Sequence, residues 1–201
     1  MSILRVYRAP FSTNVERVAL AAAYKGIPLT WIDVPADDRS PVIEVSGQEL
    51  VPVLDHDGRI VFDSTAILHY LDELQPEPRL FTSAEVEIFV DWFNRVWKVP
   101  PNAIEAERGA DRPDQDRIAE LGAETRASLD LFESLLDGRD WLFGDFSAAD
   151  CAAFPFLKYA LDRNDADDEP FHGILRELLV SDGHVLVEGW IRRVDATYPD
   201  R

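Results

Sequence analysis

Cysteine is nearly missing: Cys151 is the only one in 201 residues. No internal disulfide can form, and neither a CxxC redox pair nor a zinc site of clustered thiolates is possible. Lysine is scarce as well, at Lys25, Lys98 and Lys158 only, and the basic residues are mostly Arg. Twenty Lys and Arg face 38 Asp and Glu, a formal net charge of −18. Such a surface repels phosphate backbones and anionic membranes, so nucleic acid is excluded as a natural partner and any anion site must be local. No apolar run approaches the roughly 18 residues of a membrane helix. The opening MSILRVYRAP runs straight into strand-like sequence without the apolar core of a signal peptide, so the expectation is a cytoplasmic protein. The four histidines, His56, His69, His172 and His184, are scattered without metal-ligand spacing, and no metal is expected.

What is present is enough apolar sequence, 46%, for a sizeable core. Residues 3–7 predict a strand. A helix follows over 13–25, with Val15, Val18, Ala19, Ala22 and Ala23 at helical spacing and Gly26 as its stop. Residues 29–34 predict a second strand, and strand–helix–strand favours parallel pairing. Residues 37–48 are polar with one weak helical turn. Strands at 51–55 and 59–62 flank Asp57-Gly58, a strong hairpin signal. A helix over 64–74 presents Ile67, Leu68 and Leu71 on one face.

The run Gln75-Pro76-Glu77-Pro78 breaks the chain. The expected organisation is a first domain over 1–76, a linker over 77–83 and a second domain over 84–201. The latter reads as all helical, with helices at 85–99 (ended by Pro100-Pro101), 115–136, 147–161, 171–180 and 184–194. Ser147-Ala148-Ala149-Asp150 is a capping-box variant, flanked by Phe146 and Cys151 at staple positions. It is read as a folding element without catalytic duty.

Three segments carry a family resemblance over essentially the whole chain. They are Ser12 to Leu20 followed by Lys25-Gly26-Ile27, Leu50 to Leu54 leading to Phe62-Asp63-Ser64-Thr65-Ala66-Ile67, and Gly144 to Asp150. Together they resemble the cytosolic glutathione transferase superfamily, in its serine-type bacterial form. The resemblance implies a thioredoxin-like βαβ-α-ββα domain followed by an all-α domain. It also implies a homodimer, with glutathione or a related thiol as co-substrate, a small electrophile as second substrate, no resident cofactor and a detoxifying role.

Residue by residue, the resemblance makes Ser12 the hydroxyl that holds the thiolate. Tyr7, near the end of the first strand, is the rival, and Thr13 and Asn14 stand close by. Val51-Pro52 is implied to be cis, with the Val51 backbone free to pair with an extended peptide. Asp63 and Ser64 are implied to hold the γ-glutamyl end, Asp63 against the ammonium and Ser64 with the first helical N–H groups against the carboxylate. The competing reading is that Asp63 or Ser64 simply caps the helix. Arg39 resembles a residue used for the glycine carboxylate, with a solvated loop arginine as the alternative. Leu50 stands where some classes carry Lys or Gln, and Gln48 is a possible substitute. The second substrate is expected between the domains, with Tyr7, Asn94 and Trp97 as pocket candidates, Trp92 in the core, and Arg95 and Lys98 nearby. Two other readings remain: a binding or regulatory protein that kept the fold without the chemistry, and a thiol-dependent isomerase of zeta type, whose double serine with cysteine is absent from Ser12-Thr13-Asn14-Val15.

Overall fold

The computed structural model describes residues 3–35, 37–162, 164 and 166–199. Its contacts divide into two compact units, one running to Thr82 and the other from Ser83 to Thr197.

The first unit opens with strand β1 (Leu4–Arg8). Helix α1 (Thr13–Lys25) starts at Ser12 as N-cap and stops at Gly26, whose φ of 65° is the left-handed geometry that glycine adopts without steric cost. Strand β2 (Thr30–Asp33) lies parallel to β1. The polar stretch that follows forms a full helix, α2 (Ser40–Ser46). Strands β3 (Val53–His56) and β4 (Arg59–Phe62) make the hairpin, turning through positive φ at Asp57 and Gly58. Helix α3 (Ser64–Leu74) closes the unit and packs against α1. The sheet order is β2-β1-β3-β4, with β3 antiparallel to both neighbours. This is the predicted βαβ-α-ββα arrangement. Tyr7, Val51 and Ile60 pack against Val34, Val42 and Val53 on one face of the sheet, while Val6 and Leu54, on the other, are fully buried.

The segment after α3 is packed rather than loose. Asp72 accepts from the Leu80 and Phe81 N–H groups, at 2.8 and 3.3 Å, and Phe81 stacks on His69. Buried Lys25 completes this knot, with Nζ 2.6 Å from both Asp72 Oδ1 and the Pro78 carbonyl.

The second unit is helical, and among its described residues the strand pairing is confined to isolated bridges around Trp141–Asp145. Its helices are α4 (Ala84–Trp92), α5 (Val99–Arg108), α6 (Gln115–Ala127), α7 (Leu129–Leu136), α8 (Ala148–Leu157), α9 (Pro170–Leu178) and α10 (Val185–Thr197). Helix α5 was not anticipated. Pro100 and Pro101 lie in its first turn, where the missing N–H groups have no intrahelical partner to lose. The helix predicted over 115–136 is two helices meeting at Ser128. Every residue of α8 is buried, so the unit is built around it.

Between α4 and α5, residues Phe93–Trp97 form a π-helical turn, marked by the bond from Lys98 N–H to the Phe93 carbonyl at 3.0 Å. The extra residue rotates Trp97 back over Phe93, and their rings stack at 4.5 Å. Trp97 is therefore core, 4% exposed, with Nε1 donating to Ser128 Oγ at 2.8 Å. This corrects the expectation that Trp97 faces an open pocket.

Candidate active site

Strand order decides which loops meet. β1, β2 and β4 all point one way, and β3 points the other. The register Tyr7↔Val53↔Phe62 puts the ends of β1 and β4 beside the start of β3, and Arg8↔Asp33 adds the end of β2. Arg39, Ser12, Val51-Pro52 and Asp63-Ser64 are thus all carried on segments leaving one edge of the sheet. Across that edge their strands run β2, β1, β3, β4. From β2 to β4 is three strand spacings, about 14 Å, a span that three extended residues of about 3.5 Å each cover only with the added length of the arginine side chain.

Ser12 follows Phe11, whose φ of 58° is unusual for an aromatic residue. Ser12 is half-buried, and its Oγ accepts from Val15 N–H at 3.4 Å, a long capping bond. Accepting engages a lone pair, so the hydroxyl hydrogen remains a donor. Tyr7 packs its ring into the cluster with Val34, Val42 and Val53.

The Val51–Pro52 bond is cis, and the paired ladder begins only at Val53, leaving the Val51 peptide beyond the last paired residue. Gln48 does not reach outward in place of the missing Lys or Gln. Its amide bonds both backbone groups of Leu50, at 2.7 Å each way, and holds the approach to Val51.

Asp63 is the N-cap of α3. Its φ of 71° and ψ of 125° are rarely adopted outside glycine, and Oδ1 accepts from Thr65 N–H at 2.9 Å and Ala66 N–H at 3.0 Å. Two of the N–H groups expected to meet a ligand carboxylate are therefore already used by Asp63. What remains at this helix start is the N–H and hydroxyl of Ser64, a buried residue. Asp63 itself is exposed, and its Oδ2 takes no hydrogen bond among the described residues. Capping and ligand contact can therefore share one carboxylate.

Arg39 sits at the start of α2, and its Nη1 is buried without a hydrogen-bond partner among the described residues. Beside it, the hydroxyl and N–H of Ser40 hold the Asp38 carboxyl below its ordinary range. Asn94, in the second unit, lies half-buried on the π turn. Arg95 pairs with Asp91 on an exposed face, and Lys98 lies over the Phe156 ring. Sequence reasoning missed Arg17. It sits in α1 among apolar residues, where periodicity predicts only core, yet its Nη1 lies 3.5 Å from Ser64 Oγ.

Residues 6–79 match the glutathione S-transferase N-terminal domain and residues 115–193 the glutathione S-transferase C-terminal domain. The chain belongs to the glutathione S-transferase superfamily. Glutathione S-transferase U6 of Arabidopsis thaliana is 28% identical over 75 residues, 36% of this chain and 32% of that protein. Glutathione S-transferase omega-1 of Mus musculus is 25% identical over 143 residues, 67% of this chain and 60% of that protein. The chain thus spans less than two thirds of the length of these curated relatives. Among solved structures, a glutathione S-transferase from Rhodospirillum rubrum F11 superposes with a TM-score of 0.73. It is 26% identical, covering 98% of this chain and 90% of that one. The glutathione S-transferase fold accounts for the mixed four-stranded sheet and the helical second unit.

Proposed function

We propose that this chain is a serine-type glutathione transferase, joining the thiol of glutathione to a small electrophile. The observation that carries the reading is the order of groups along the sheet edge: Arg39, Ser12, Val51 and Asp63-Ser64. It matches the order of an extended γ-glutamyl-cysteinyl-glycine. The glycine carboxylate faces the Arg39 guanidinium, whose buried Nη1 has no acceptor among the described residues. The cysteinyl backbone pairs with the Val51 peptide, which lies beyond the last paired residue of β3. The γ-glutamyl carboxylate takes the N–H and hydroxyl of Ser64, and the ammonium takes Asp63 Oδ2.

The chemistry then rests on Ser12. A free thiol titrates near pH ~8.5 and must fall by roughly 1.5–2 to be mostly thiolate at neutrality, about 2–3 kcal/mol. One hydrogen bond to a charged group is worth about 1.5–3 kcal/mol, and the α1 N-terminus adds about 0.3–1. The thiolate sulfur forms the new bond to the electrophilic carbon, and the leaving group departs with its bonding pair. The same reading makes the enzyme a cytoplasmic homodimer that removes electrophiles.

Retention on immobilised glutathione, followed by turnover of chloro-dinitrobenzene, tests the proposal. Retention without turnover across a panel of electrophiles would favour a binding protein. Failure to bind glutathione, with another low-molecular-weight thiol bound in its place, would change the co-substrate.

A further inference from the structure

Two cations are buried in α1. Lys25, at its last turn, forms a structural ion pair with Asp72 in the body of α3. Arg17 is 1% exposed, among the largest fully buried side chains of the molecule, and its Nη1 reaches Ser64 Oγ at the start of α3. Burying a charge is costly, and an apolar side chain of similar length would fill the same space without that cost.

The direction of the hydrogen bond matters. The contact is long, 3.5 Å, and because a guanidinium only donates, Ser64 Oγ accepts from Arg17 and its own hydrogen is turned away. Thr65 and Ala66 N–H groups are taken by Asp63, so the Ser64 hydroxyl and N–H are the donors left for an anion at this helix start. Arg17 also sets a positive charge behind the α3 N-terminus, where the helix dipole has the same sign.

We propose that Arg17 is a positioning residue for the α-carboxylate of the γ-glutamyl group, orienting the Ser64 hydroxyl toward it from inside the fold. The inference rests on the glutathione reading above and extends it to a residue that need not touch the ligand.

The test uses calorimetry on the full chain with two probes, glutathione and the analogue in which 4-aminobutanoyl replaces γ-glutamyl and so removes the α-carboxylate. Arg17→Met is expected to weaken glutathione at least about tenfold and to leave the analogue within about twofold. KM for glutathione should rise while kcat at saturation holds. Combining Arg17→Met with Ser64→Ala should cost little more than either change alone, because both remove one unit. Arg17→Lys, which keeps the charge but not the fork, should recover part of the affinity and serves if Arg17→Met does not fold. Equal losses for both peptides would make Arg17 a packing residue and overturn the inference. Undiminished glutathione binding in Arg17→Met would overturn it while leaving the transferase reading intact. A parent chain that binds neither peptide would remove both.

Discussion

At the residue scale, the transferase reading proposed above gives Ser12 and Asp63 each a second duty beside capping, and substitution can separate the two. The Ser12 hydroxyl caps α1 weakly, accepting through a 3.4 Å bond, and in the proposed reading its hydrogen donates to the thiolate sulfur. Ser12→Ala is expected to raise the pKa of the bound thiol by about 1–2, the loss of about 1.5–3 kcal/mol of thiolate stabilisation. Rate at neutrality should fall at least about tenfold and the pH–rate profile should move to higher pH. Tyr7→Phe should do much less, because that ring is packed against Val34, Val42 and Val53. Thiolate absorbance of the bound complex, titrated in both variants, decides; a shift only in Tyr7→Phe would make this a tyrosine-type enzyme. For Asp63, charge and cap can be parted. Asp63→Asn keeps a good N-cap that tolerates positive φ and removes the charge, so thiol affinity should fall with little change in melting temperature. Asp63→Ala should lose the cap too, at about 0.5–2 kcal/mol. Equal glutathione affinity in Asp63→Asn and the parent would show that the carboxylate only caps.

At the element scale, legibility followed how local the determinants are. Helix α1, the hairpin and α3 could be read because Ser12, Gly26, Asp57-Gly58 and Asp63 act within a turn of where they stand. Helix α5 was hidden because Pro100-Pro101 stops a helix from one side and starts one from the other. The break at Ser128 was hidden because the apolar stripe of Leu121, Leu129, Phe132 and Leu136 runs through it. Trp97 was misplaced because a π turn leaves no mark on apolar spacing. In the candidate site, Ser12, Val51-Pro52 and Asp63-Ser64 were singled out through the family resemblance, each on a short local motif. Arg17 did not, since only tertiary structure shows what a charge on an apolar face meets.

The capping box of α8 carries its own prediction at this scale. Asp150 accepts from Ser147 N–H and Oγ–H, Leu142 N–H and Trp190 Nε1–H, at 2.9–3.2 Å, and so ties α8 to α10 and to the segment before it. Burial pushes its carboxyl up to about 6 from an ordinary 3.8 despite those donors. The folded state therefore holds this proton more tightly than the unfolded chain. The resulting stability is fully present below about pH 4 and is lost as pH rises through about 6, at most about 3 kcal/mol. Asp150→Asn should flatten this part of the stability curve, and Asp150→Ala should destabilise by about 3 kcal/mol or more at neutral pH by orphaning buried donors. Denaturant midpoints of parent and variants from pH 4 to 7 measure both effects. A parent-minus-Asn difference independent of pH would assign the titration elsewhere.

At the scale of the whole molecule, charge and apolar surface pull in opposite directions. The formal charge of −18 on a 22.7 kDa chain makes any self-association costly at low salt. Yet large apolar side chains stand in water on both units: Leu50 at 75% and Phe62 at 51% exposed on the first, Ile88 at 68% and Leu131 at 43% on the second. Single exposed apolar residues are ordinary, but Leu50 lies next to the segment carrying Val51, and Phe62 immediately precedes Asp63, where a second copy would both cover apolar surface and brace the site loops. A homodimer is therefore expected, with a mass twice 22.7 kDa at moderate salt. Screening shortens the reach of repulsion to about 8 Å at physiological ionic strength, so dimer should grow with salt rather than dissolve in it. Ile88→Asp or Phe62→Asp should shift the equilibrium toward monomer, and for Phe62→Asp glutathione affinity should fall with it. Light scattering across a salt and concentration series is the measurement. A single species of 22.7 kDa at every salt concentration would show that these side chains have no partner in a second copy and that the site is complete in one chain.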